Sequence, residues 1–233
     1  MSSDNRPFAE KYPSSLWGLE VLSDQIAKIN AVYEDRAKNE IPDKAKEYGL
    51  NPYFRDGRSP EKYFFDMLDG WAPEDITLLW VRKWLKVWME QLDRGLTIDV
   101  RPFGRDKDRI LQVTNDHDIN TTPDYLVHFY ENDKLMRNQF IEYQYSSGVR
   151  SHYDMKEKKV LGALKDGTKF LWVVLPIAQF FICDPVVDLA GIDPTDHPIW
   201  TGKRTYSMPA DRAKLHPLKA GLGKESAILL CGT

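Results

Sequence analysis

The sequence predicts an α/β fold, a mixed sheet flanked by helices with a helical region in front of it. Three observations carry that expectation. Apolar residues recur at helical spacing up to about residue 95, and the period changes to two from residue 96. The segment "KFLWVVLP" is an unbroken apolar run, as in strands buried on both faces.

In "LEVLSDQIAKINAVYEDRAKNE" the residues Leu22, Ile26, Ile29 and Tyr33 form one helical stripe, and Pro42 marks its end. "PEDITLLWVRKWLKVWMEQLDRG" repeats the pattern with Ile76, Trp80, Trp84 and Trp88. It opens on Pro73 ahead of Glu74 and Asp75, which suits a helix N-terminus, and closes before Gly95. A tryptophan stripe at that spacing reads as core rather than as a stacking platform for bases. The intervening "YGLNPYFRDGRSPEKYF" has turn chemistry throughout. Next, "LTIDVRPF", "RILQVT", "DYLVHFYE" and "QFIEYQY" read as four successive strands separated by polar segments. "YDMKEKKVLGAL" returns to helical character, with Val160, Leu161 and Leu164 at its apolar end, and "KFLWVVLP" and "AQFFICDP" follow as strands. The expected organisation is a helical region over 1–95, an α/β core over 96–184 with "KFLWVVLP" as a central strand, and an extension over 185–233 packing on that core.

At 233 residues the chain is long enough for one large domain, or for a core domain with a helical extension. The opening "MSSDNRPFAEKYPSS" lacks the apolar core of a signal peptide, and no stretch approaches the ~20 apolar residues that span a bilayer. The expectation is a soluble, cytoplasmic protein with no membrane partner. Cys183 and Cys231 stand far apart and fit no paired metal-ligand spacing, so they read as small buried or incidental thiols. A net charge of -3 argues against a generic nucleic-acid coat, but leaves room for a local basic groove drawn from Arg150, Lys156, Lys203, Arg204 and Lys214.

The chemistry concentrates in "TPDYLVHFYENDKLMRNQFIEYQYSSG". Alternation sends Ile141, Tyr143 and Tyr145 to one face of the last strand and sets Glu142 and Gln144 side by side on the other. Asp124 begins the preceding strand behind Pro123, and antiparallel pairing of the two strands would bring it close to Glu142 and Gln144. Each residue also has a plainer reading. Asp124 suits a turn, Glu142 and Gln144 suit a solvent-facing sheet surface, and Lys156, Glu157, Lys158 and Lys159 suit the wet face of a helix. His128 shares strand parity with Asp124 but reads as structural, and "NDHDIN", with Asp116, His117 and Asp118, reads as a loop.

Pro123-Asp124, followed on the next strand by Glu142-x-Gln144, resembles the signature of the PD-(D/E)XK nucleases, the restriction-endonuclease-like superfamily. The resemblance covers residues 96 to 184 and is closest in kind to the Uma-type endonucleases. In these, serines follow the acidic strand and a helix carries an aspartate and then a lysine, here Ser146, Ser147, Asp154 and Lys158. It implies a restriction-endonuclease-like mixed sheet and hydrolysis of DNA, with magnesium or manganese held by Asp124 and Glu142 and a third ligand from the Tyr143 carbonyl. Hard oxygen donors of this kind suit magnesium. Gln144 replaces the family's usual lysine and would position the attacking water. The lysine role passes to the following helix, with Lys158 the first choice and Lys156 beside it. Glu90 is a candidate further acid. A homodimer would allow both strands of a duplex to be cut. Two other classes stay open: a non-catalytic module that keeps the fold to bind nucleic acid or protein or to build an assembly, and a carboxylate-pair hydrolase acting on sugars.

Overall fold

The computed structural model describes residues 6–51, 57–92, 95–104, 107–111, 122–200 and 202–231. It contains two compact units. One falls within Met1–Trp80 and Asp108–Asp118, the other within Val81–Lys107 and Ile119–Thr233, so the divide lies inside a helix.

The first unit is helical. Short helices α1 (Phe8–Lys11) and α2 (Ser14–Trp17) precede α3 (Ser23–Asn39) and α4 (Ile41–Gly49), and α5 (Pro60–Leu92) begins here. The expected stripes are buried in part: Ile26, Tyr33, Ile76 and Trp80 are at most 2% exposed and Trp88 is buried, while Leu22, Ile29 and Trp84 are half-buried. Helix α5, however, starts well before Pro73 and runs through it. A proline inside a helix leaves the carbonyl four residues earlier without its N–H partner. Here that carbonyl belongs to Asp69, and the Tyr12 hydroxyl donates to it at 3.0 Å. Thr77 Oγ1 donates to the Pro73 carbonyl at 2.7 Å and accepts from Trp17 Nε1 at 3.2 Å, which braces the same turn.

The expected strand "RILQVT" is not one over its described part, Arg109–Leu111; residues 112–114 lie outside the described residues. Arg109 adopts left-handed backbone, φ 53°, and is buried. Its guanidinium bonds Glu74 Oε1 at 2.6 Å and Asp75 Oδ1 at 2.7 Å, while Tyr33 Oη donates to Asp75 Oδ2 at 2.6 Å. A buried cation held by two carboxylates, not ladder pairing, decides the conformation there.

The second unit is built on a six-stranded sheet. Its strands are β1 (Leu96–Pro102), β2 (Tyr125–Glu131), β3 (Lys134–Ser146), β5 (Lys169–Val174), β6 (Gln179–Cys183) and β9 (His216–Pro217), in the order β1-β2-β3-β5-β6-β9. Pairing is antiparallel except between β3 and β5, where Ile141–Ser146 runs parallel to Lys169–Val174. β5 lies inside the sheet and Phe170–Val174 is buried throughout, as the unbroken apolar run requires. Asn132 and Asp133, at φ 48° and 63°, turn β2 into β3, a two-residue left-handed turn whose twist suits a tight hairpin. Between Phe129 and Tyr130 the register slips, leaving Met136 as an extra residue on β3, a β-bulge.

A second sheet, ordered β4-β8-β7, consists of β4 (His152–Lys156), β8 (Arg204–Pro209) and β7 (Thr195–Asp196). The expected helix over "YDMKEKKVLGAL" is therefore a strand first. Tyr153 and Met155 point inward with period two, and helix α6 runs only over Glu157–Asp166. α6 buries Val160 and Ala163, while Leu161 and Leu164 face solvent. Tyr153, Met155 and Met208 from the second sheet, with Val160 and Ala163, close over Phe170, Trp172 and Phe181 of the first. Helix α7 (Pro185–Asp188) follows β6, and α8 (Lys224–Cys231) closes the described chain, burying Ala227, Leu230 and Cys231. Among the described residues no helix is long and apolar enough to cross a membrane.

Gly221 shows how tightly this unit packs. Its backbone, φ 73° and ψ -168°, lies in a region open essentially to glycine alone, and a Cβ built there would overlap the Trp84 indole. Gly221→Ala is expected to destabilise the protein by roughly 2–4 kcal/mol, measured by denaturant unfolding.

Candidate active site

The hairpin of β2 and β3 assembles the acidic pair. Tyr125 pairs with Ile141, so the antiparallel register extended by one residue sets Asp124 opposite Glu142. Asp124 is held there from both ends, its carbonyl accepting from Phe103 N at 2.8 Å and its carboxylate Oδ2 from Tyr143 N at 2.8 Å. Directly opposed residues share a face, so Asp124, Glu142 and Gln144 project from the side of the sheet that carries Phe170 and Trp172. The second sheet and α6 cover that face over β5 and β6. On β2 its residues Leu126, His128 and Tyr130 stay partly exposed, so the acids sit where the cover ends.

Glu142 is 3% exposed. Gln144 Nε2 donates to its Oε1 at 2.8 Å, and the Lys159 ammonium donates to the same oxygen. Its pKa is pushed up from 4.5 to about 8. Burial is the largest cause and the Asp124 carboxylate the next, and together they outweigh Lys159 and Gln144, which pull it down. A carboxyl group whose pKa is higher folded than unfolded takes up a proton on folding, so its contribution is fully present below the unfolded value and is lost as pH rises through the folded one. The metal-free protein is therefore expected to melt at progressively lower temperature as pH rises from about 5 to about 8, and Glu142→Gln should remove that component; thermal melts in chelator across this range are the check.

The lysine that reaches Glu142 is Lys159. Lys158, the first choice from the sequence, is exposed on α6, and Lys156 Nζ stands 5.8 Å over the Trp200 ring. Of the other candidates, Glu90 is exposed and pairs weakly with Lys86 at 4.0 Å, beside a 480 Å³ cavity between α5 and β1 that includes neither Asp124 nor Glu142. His128 bonds its cross-strand neighbour Asn138 at 2.7 Å. Asp116, His117 and Asp118 lie outside the described residues. In the proposed basic groove, Arg204 is bound to Glu157 at 2.9 Å and Lys214 to Glu225 at 3.1 Å, while Arg150 is exposed.

A smaller cavity, 160 Å³, is lined by Gln144 and Lys159, both bonded to Glu142, and by Asp154, Lys156 and Trp200. Asp154 accepts a hydrogen bond from Ser207 and faces His197 Nε2 at 3.4 Å. His197 and Trp200 are absent from the sequence-based site, because the chain returns them to it only through the second sheet.

Among the described residues no group of three or more His, Cys, Asp and Glu is gathered to hold a metal ion. Magnesium needs fewer, since one or two carboxylates with waters and a substrate phosphate suffice. Two adjacent carboxylates, one buried and raised in pKa by the other, are such a donor set, and a divalent cation would relieve their repulsion. Compared with protein-family models, with curated proteins and with solved structures, the chain matches none.

Proposed function

We propose that this protein is a metal-dependent nuclease that hydrolyses DNA phosphodiester bonds, built on a restriction-endonuclease-like core. The observation that carries the reading is the meeting of Asp124, Glu142 and a helix-borne lysine at the edge of a covered sheet face. The element order supports it: α5, an antiparallel β1-β2-β3 meander, the crossover helix α6 and the parallel strand β5 follow the core that the sequence resemblance implies.

Asp124 and Glu142 would hold magnesium or manganese. When bound, the cation supplies a water acidic enough to attack at neutral pH and neutralises charge growing on the phosphate. Gln144 orients Glu142 through its amide, and its own carbonyl remains an acceptor for a water proton. Lys159 carries positive charge to the point where the phosphate would sit, which stabilises the more negative transition state over the ground state.

A specific observation also favours a binding module that has lost catalysis. Gln144 stands where a lysine is usual, and the Lys159 ammonium is engaged with Glu142. One assay separates the two readings: plasmid and single-stranded DNA incubated with the full chain in magnesium, in manganese and in chelator. Cleavage confined to the metal lanes supports the nuclease. Binding without cleavage in either metal leaves the module.

A further inference from the structure

Trp200 is unusual among the seven tryptophans. It lies outside the cores described above, and its side chain is 40% exposed. It is nevertheless held in place. The His197 ring stacks on it with centroids 4.0 Å apart and an interplanar angle of 15°. His197 Nδ1 accepts from Ile199 N at 3.1 Å and from Trp200 N at 2.9 Å, so the same imidazole fixes both backbone and indole. With Nδ1 an acceptor, the neutral ring carries its proton on Nε2, which faces Asp154 Oδ2 at 3.4 Å, and Ser207 holds the other Asp154 oxygen. A partly exposed aromatic ring fixed by several polar contacts is a built surface rather than a stray apolar side chain.

The ring lines the cavity walled by Gln144 and Lys159, both bonded to Glu142. Phe170 and Met155 provide apolar walls, Asp154 an acceptor, Lys156 a cation near the indole, and Gln144 and Lys159 connect it to Glu142. At 160 Å³ it is about half the ~300 Å³ at which sites for drug-sized ligands begin, so it takes one ring system and not a stacked run. A π platform, a nearby cation and a polar rim acceptor are the elements that hold a base taken out of a duplex or belonging to a single strand.

We propose that this cavity is a subsite for one unpaired nucleobase next to the scissile phosphate, and hence that the preferred substrate is single-stranded or splayed DNA. The proposal rests on the nuclease reading for the position of the phosphate. The base stacks against Trp200, its Watson–Crick edge meets the Asp154 carboxylate, and Lys156 neutralises an adjoining phosphate. A paired base is excluded because its edge and both its faces are already occupied.

The test measures binding rather than cleavage. A fluorescent single strand and the matching blunt duplex are titrated with the full chain in chelator, where metal-dependent hydrolysis cannot occur. Trp200→Ala is expected to weaken single-strand binding by about tenfold or more, the scale of one lost base stack, and duplex binding by less than about twofold. Trp200→Leu keeps the bulk without the π face and should behave like the alanine variant, whereas Trp200→Phe should recover most of the affinity. Equal losses on both DNAs, no loss on either, or full recovery with leucine would overturn the subsite. If the wild type cleaves DNA yet these variants bind as it does, the subsite fails and the nuclease stands. If single-strand binding depends on Trp200 but no metal supports cleavage, the subsite stands and the nuclease fails. No binding to either DNA overturns the subsite, and absence of cleavage alongside it removes both.

Discussion

Asp124→Asn and Glu142→Gln are each expected to lower metal-dependent DNA cleavage by about a thousandfold or more, since a carboxylate-held cation is worth several kcal/mol to the transition state and each 1.36 kcal/mol is tenfold in rate. Neither change should unfold the protein. An asparagine at 124 still offers an oxygen to Tyr143 N, and a glutamine at 142 still offers one to Gln144 and Lys159. Glu142→Gln also removes a carboxyl group that burial and Asp124 disfavour as an anion, so the metal-free variant should melt no lower than wild type at neutral and higher pH. Plasmid nicking in magnesium, paired with thermal melts in chelator, reads both effects. Residual cleavage at near wild-type rate by either variant would remove that carboxylate from the metal site.

The second large effect separates two neighbouring lysines. Lys159→Ala is expected to reduce the cleavage rate by about a hundredfold, the scale of losing one group aimed at transition-state charge. Lys158→Ala should leave it within about threefold, because an exposed lysine contributes little beyond screened surface charge. A further readout belongs to Lys159 alone. Its ammonium lowers the Glu142 pKa, so its removal raises that pKa further and extends the loss of metal-free stability to higher pH. Lys158→Ala should leave the pH profile of melting in place. The reverse ranking of the two variants would return the role to Lys158.

The acidic pair was legible in the sequence because everything that builds it is local. Period-two alternation decides which face Glu142 and Gln144 share, and a hairpin with a one-residue bulge at Met136 carries Asp124 back beside them. The lysine was not legible to one residue. An α-helix turns about 100° per residue, so Lys158 and Lys159 point in different directions, and which one faces the sheet depends on where the helix begins. That boundary is set by β4, whose partner β8 lies some fifty residues downstream, as the pairing of Asp154 with Ser207 shows. Pairing across such a separation leaves no local pattern beyond the alternation of Tyr153 and Met155. The same holds for "RILQVT", where Glu74 and Asp75, far upstream, hold Arg109 out of a strand conformation. The central place of β5 was clear from its apolar run, while the polar shell that fixes Trp200 depends on His197, Asp154 and Ser207 coming from three separate stretches.

The extra residue at Met136 acts as a spacer that aligns Asp124 with Glu142. At the turn, Glu131 pairs with Lys134, and an unbroken ladder counted from there would set Asp124 opposite Ile141. Opposed residues share a face, so the Asp124 carboxylate would then project on the side away from Glu142. Past Met136 the count is advanced by one, Tyr125 meets Ile141, and the two acids come onto the same side. One inserted backbone residue thereby decides whether the two acids share a face of the sheet. Deletion of Met136 would preserve nearly every residue of the hairpin and still separate the acids, whereas replacing its side chain would leave them together.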